Sequence, residues 1–100
     1  MNTRDMTYGD YGMDKEDLRK VLDMCQESDI TGVQELIYQS AVAANPQIHE
    51  ALYMSLAFDM SYERVNGIRY VPISKNSFYA YRRRAIANLY DLMRLYGLTV

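Results

Sequence analysis

One run of residues constrains this chain more than any other. Phe78, Tyr81, Ala85, Ile86, Leu89, Leu92, Met93 and Tyr96 recur at helical spacing, with no proline or glycine until Gly97. Ser74 stands where an N-cap is needed and Gly97 where a helix stops. The pattern predicts a long helix over about 75–96 with one apolar stripe, which other elements must cover.

The rest of the chain supplies shorter helices for that purpose. Asp14 can cap a first helix, with Glu16 and Asp17 in its first turn, where negative charge suits a helix N-terminus, and Leu18, Val21, Leu22 and Cys25 follow at i, i+3, i+4 and i+7. This helix is expected to end near Glu27. Thr31 is the next cap candidate, followed by the stripe Val33, Leu36, Ile37, Ser40, Ala41 and Ala44. Asn45-Pro46 ends that helix and opens a third: Asn45 caps it, and proline at the first helical position gives up an N–H that has no partner there. Ile48, Ala51, Leu52, Ser55 and Leu56 form its buried face. Ser61 caps a short helix over 62–66, with Gly67 as its stop, and 68–73 is a connector in which Pro72 argues against a paired strand. Residues 1–12 are polar and read as a loose arm with one docked tyrosine. The expectation is an all-α single domain over 1–100: a bundle of about five helices with a helix-turn-helix-like unit at 46–97 ending in the long helix.

Charge divides unevenly along this plan. Residues 1–59 hold four Lys/Arg against eleven Asp/Glu, a net −7, and residues 60–100 hold seven against two, a net +5, which together give the chain's −2. Such a split fits a polyanion-binding end, or two halves that simply attract each other. The single cysteine, Cys25, forms no internal disulfide and lies on an apolar stripe. The N-terminus lacks the apolar stretch of a secretory leader, and no run approaches the ~20 apolar residues a membrane span needs. The expected location is a reducing cytoplasm, with no membrane partner.

Little points to catalysis. His49 is the only histidine and reads as a solvent-facing helix residue, since a metal site needs several ligands and a catalytic histidine needs partners. No glycine-rich phosphate loop or nucleophile elbow occurs. The chain is therefore expected to be no enzyme, with no catalytic residues, metal or cofactor. Ten tyrosines without tryptophan suggest either a polar rim to the core or an interface. Tyr38, Tyr53, Tyr81 and Tyr96 are the candidates for the latter.

A second helix that enters a DNA groove needs polar and cationic side chains on the solvent side of its first turns. On a helical wheel centred on Phe78, Asn76, Ala80, Arg83 and Ala87 point away from the stripe. Tyr79 and Arg84 flank that face, and Arg82 sits at the core boundary, its stem packed and its head outward. Arg and Asn suit bidentate reading of base edges, and Lys, Tyr and hydroxyl groups suit phosphate contacts. The candidate DNA-binding set is Lys75, Asn76, Ser77, Tyr79, Arg82, Arg83 and Arg84.

The segment PISKNSFYAYRRRAIANL (72–89) resembles the recognition helix of sigma-factor region-four-like helix-turn-helix domains, in particular the ArpU-like late transcriptional regulators of phages of Gram-positive bacteria. Ile73, Ser74, Lys75, Asn76, Phe78, Tyr79, Arg82, Arg83, Arg84, Ala85 and Leu89 carry the pattern. Leu52, Leu56, Met60, Ser61, Tyr62 and Val65 look like the preceding helix pair. The likeness covers about half the chain. It implies sequence-specific binding of double-stranded DNA in transcription regulation, with RNA polymerase and a second copy of the chain as further candidate partners. The chain departs from the family at 67–73, which is longer than the usual turn. The residues themselves also allow a helical protein–protein module, an adaptor or inhibitor acting through the acidic half or the tyrosines.

Overall fold

A computed structural model of the chain describes residues 6–27 and 32–97. Five α-helices lie in it: α1 Lys15–Gln26, α2 Val33–Ala44, α3 His49–Ala57, α4 Tyr62–Ile68 and α5 Lys75–Leu95. A 3-10 turn, Pro46–Ile48, leads into α3. The all-α expectation holds, with no strand among the described residues. No helix there is long and apolar enough to cross a membrane.

Local chemistry sets the helix ends. Asp14 and Asp17 form a reciprocal capping box: Asp17 N–H donates to the Asp14 carboxylate at 2.8 Å, and Asp14 N–H to the Asp17 carboxylate at 3.1 Å. Asn45, Ser61 and Ser74 cap the following elements through their side chains, as the sequence predicts. α2 differs, because Gly32 occupies its N-cap in a left-handed conformation and no side chain caps it. Thr31, the expected cap, lies outside the described residues.

Gly67 does not stop α4. It has no positive φ, so it is not the left-handed glycine that ends a helix. The Arg69 N–H still bonds back to the Val65 carbonyl, and the helix runs to Ile68. The connector therefore shrinks to residues 69–74. It is fastened by buried Val71, whose N–H donates to Asn66 Oδ1 at 2.8 Å.

α5 is the centre of the bundle. α2 makes the most extensive contact with it, and α1, α3 and α4 also pack on it. Phe78, Ile86, Leu89 and Met93 are fully buried in one continuous core with Val21, Ile37, Leu52, Leu56 and Val65. A helix with neighbours on several sides buries more than one stripe, and the wheel fails in that respect. Ala80 and Ala87, expected to face solvent, are only 1% and 5% exposed, their small side chains sitting under packed neighbours. Tyr96, expected in the stripe, is 63% exposed where the helix runs past its coverage.

The arm is ordered over residues 6–13. Thr7 and Asp10 close a turn through their side chains, Tyr8 and Tyr11 pack against the core, and Met13 is buried in it. Two tyrosines of 6–12 thus pack against the core where one docked tyrosine was expected, beside buried Met13; 1–5 lie outside the described residues.

Two outcomes test this packing. Phe78→Ala should lower the unfolding free energy by about 3–5 kcal/mol, measured by urea denaturation. The Asp14 N–H holds the Asp17 carboxyl below its usual range, with Tyr90 and Lys20 adding smaller effects in the same direction. A depressed carboxyl pKa stabilises the fold above the unfolded value and loses that effect as pH falls through the folded one. Asp17→Ala should therefore be less stable than wild type at pH 7, with the gap closing below about pH 4.

Candidate nucleic-acid interface

The seven candidate residues fall into two groups of three along α5, with Tyr79 between them. Lys75, Asn76 and Ser77 occupy the first turn. Lys75 and Asn76 are exposed, and Lys75 forms an ion pair with Glu63 of α4. That pairing raises the Lys75 pKa and lowers that of Glu63, so much of the cation is already compensated. Ser77 is taken up with the cap: its N–H donates to Ser74 Oγ at 3.2 Å, and the two hydroxyls are 3.1 Å apart. Asn76 is the exposed member of this turn whose side-chain amide makes no hydrogen bond among the described residues.

Tyr79 turns inward. Its hydroxyl accepts the Tyr62 N–H, at the first residue of α4, at 3.1 Å. Its ring stands edge-on to Phe78, 5.4 Å between centroids. Tyr62 answers by donating its hydroxyl to the Ile73 carbonyl at 3.1 Å. With the Lys75–Glu63 pair, these bonds fasten α4 to the start of α5 across the connector. Tyr79 is in this arrangement a tie between helices, where the wheel expected a free phosphate contact.

The second group is Arg82, Arg83 and Arg84, all half-buried. Arg82 Nε donates to Ser55 Oγ at 2.8 Å, and that hydroxyl donates to the Met60 carbonyl at 2.7 Å. Arg83 Nε donates to the Met6 carbonyl of the arm at 3.1 Å. Arg84 has no hydrogen bond among the described residues. None of the three has a carboxylate within ion-pair distance there; the pairs that do form are Arg19–Glu16, Arg69–Glu50 and Lys75–Glu63. The anchors of Arg82 and Arg83 are neutral, so both arginines are positioned while keeping their charge.

Ser55, Met6 and Tyr8 complete this neighbourhood and were not among the candidates. Ser55 carried the one readable signal, a hydroxyl inside an otherwise apolar stripe, which must find a partner when buried. Tyr8 lies close to Arg82 and Arg83. Burial raises its pKa and the two cations oppose the rise, so it remains a neutral phenol. Nothing in the local sequence predicts that the arm docks here.

Elsewhere, His49 is half-buried, where a solvent-facing position was expected. Its Nδ1 is 2.6 Å from the Pro46 carbonyl, and its ring meets Tyr38 edge-on at 5.2 Å. Tyr38 also meets Tyr53 at 6.5 Å, and Tyr53 meets Phe58 at 6.0 Å. Tyr38 is 45% and Phe58 61% exposed, so an aromatic run crosses the surface of α2 and α3. Tyr81 on α5 and Tyr96 at its C-cap join no ring contact of this run among the described residues.

Cys25 is buried, and burial pushes its thiol up to about 12, against a smaller opposing pull from Arg82. Thiol alkylation requires the thiolate. Iodoacetamide at pH 8 should leave Cys25 unmodified in the folded protein and label it once urea unfolds the chain; fast labelling of the folded form would contradict the burial. Compared with protein families, with curated proteins and with solved structures, the chain matches none.

Proposed function

We propose that the chain binds double-stranded DNA and acts as a sequence-specific transcriptional regulator of a phage or mobile element. The observation that carries the DNA-binding part is the run Arg82-Arg83-Arg84, three half-buried arginines with no carboxylate partner among the described residues. A cluster of uncompensated cations attracts a polyanion and gains by releasing its counterions. The regulatory part rests on the likeness of 72–89 to the ArpU-like helix-turn-helix regulators. Asn76 offers an amide for a base edge in the first turn of α5, and Arg84 a guanidinium without an internal bond. Arg82 and Arg83, already anchored, suit phosphate contacts. The ties between α4 and α5 hold the two helices at a set angle, so these groups approach DNA as a rigid unit.

Fluorescence anisotropy with duplex DNA from the gene's own neighbourhood tests this. Affinity should fall steeply between 50 and 200 mM salt, and Arg84→Ala should weaken binding and reduce the salt slope by about one. Asn76→Ala should relax preference at one base pair, by about 1–3 kcal/mol of discrimination. Absent or salt-insensitive binding would contradict the proposal.

A second reading, a non-enzymatic protein–protein module, is favoured by the run Tyr38, His49, Tyr53 and Phe58, since aromatic residues are enriched at interfaces. Under that reading Phe58→Ser abolishes partner capture while Arg84→Ala leaves it intact.

A further inference from the structure

We propose that the cleft between α2 and α3 is a binding site for a cationic side chain, arginine or lysine, carried by a basic segment of a partner protein. It deepens the protein–protein reading by naming the partner's chemistry, and rests on that reading only for the macromolecule that carries the cation.

The charge pattern of the chain favours a cation here. Between Lys20 and Arg64 there is no Lys or Arg, while the same stretch holds seven Asp/Glu. Two of these, Glu50 and Glu63, are paired with cations from outside it, Arg69 and Lys75. Glu35, in the first turn of α2, has no cation within ion-pair distance among the described residues. A surface of one sign steers a partner of the other sign and rejects like charge.

The cleft brings Glu35 together with two tyrosine rings. It is open, has a volume of about 390 Å³, and is lined by Gly32, Gln34, Glu35, Tyr38 and Tyr53. Glu35 and Tyr38 are three residues apart on one helix and so share a face. Tyr53 of α3 forms the opposite wall, its ring centroid 6.5 Å from that of Tyr38. The face of an aromatic ring attracts a cation through its quadrupole, and a carboxylate pairs with the same charge. Together they separate a cationic side chain from a neutral or an anionic one. The N-terminus of α2 would by itself favour an anion, and Glu35 in that turn offsets it.

The lining groups are held in place before any ligand arrives. Glu35 Oε1 accepts from Gln39 Nε2 at 3.2 Å, a neutral partner that orients the carboxylate and leaves its charge. His49 stands edge-on to Tyr38 at 5.2 Å and is itself 2.6 Å from the Pro46 carbonyl, and Phe58 stands edge-on to Tyr53 at 6.0 Å. Rings restrained in this way lose little further freedom on binding. Phe58, at the far end of the aromatic run, adds exposed apolar area for residues that flank the cation.

The probe is the capped peptide Gly-Ser-Arg-Ser-Gly, titrated into the full chain and followed by NMR. The same peptide with citrulline or glutamate in place of arginine is titrated beside it. The arginine peptide should bind saturably, with shifts centred on Glu35, Tyr38 and Tyr53. Citrulline keeps the shape and loses the charge, and should bind about tenfold more weakly; the glutamate peptide should not bind. Tyr38→Leu should weaken the arginine peptide about fivefold and Glu35→Gln about threefold. Both positions are exposed, and unchanged melting verifies that the variants fold. Equal binding of the citrulline peptide, shifts spread over the acidic half without a centre, or binding unchanged in both variants would overturn the site. Capture through Phe58 separates the two readings. If a partner is captured through Phe58 and the arginine peptide does not bind, the cation site falls and the module reading stands. If the peptide binds as described and no protein is captured, the site stands for a free cationic group and the module reading falls.

Discussion

The structure depends on the placement of α5 through the middle of the bundle. Four other helices reach it, and it carries the largest share of the core through Phe78, Ile86, Leu89 and Met93. A helix so enclosed has little surface for charge. Three consecutive arginines on it cannot all point to open water, because successive residues lie about 100° apart around the axis. Two of them must meet protein. Burying a charge is costly unless its donors are satisfied, and half-buried Arg82 and Arg83 satisfy one donor each on a hydroxyl and a carbonyl. The basic patch is thereby a product of the fold, with its geometry set by α3 and the arm.

The same constraint explains how the parts depend on one another. Ser55 is buried on α3 and bonded to Met60, so the turn after α3, with Asp59 in a left-handed conformation, bears on where Arg82 points. The arm carries the Arg83 acceptor from 77 residues away in the chain. Tyr79, Tyr62 and the Lys75–Glu63 pair fix α4 against α5. The geometry of this surface therefore depends on positions that a list of exposed cations omits.

Most of the fold was legible in the sequence. The stripe on α2, from Val33 to Ala44, is buried residue for residue, and Asp14, Asn45, Ser61 and Ser74 cap as their chemistry predicts. These features are local, governed by spacing and by side chains that reach their own backbone. The failures share a cause of the opposite kind. Ala80 and Ala87 were misplaced because a wheel knows one buried face and α5 has several neighbours. Gly67 stayed inside a helix because Val65 and Arg69 continue the bonding across it. The sequence places all three arginines on the last helix, but the anchors of Arg82 and Arg83 on Ser55 and Met6 are long-range contacts with no periodic trace.

The central claim is that Arg82 and Arg83 are held in position by neutral acceptors while their charge remains available. The direct measurement is proton exchange at the arginine Nε–H groups, observed by NMR in the free protein. The account predicts slow exchange and sharp signals for Arg82 and Arg83, with Arg84 exchanging fast, as an unanchored guanidinium does. Equally fast exchange at all three would show that the guanidinium groups are unconstrained, and would contradict it.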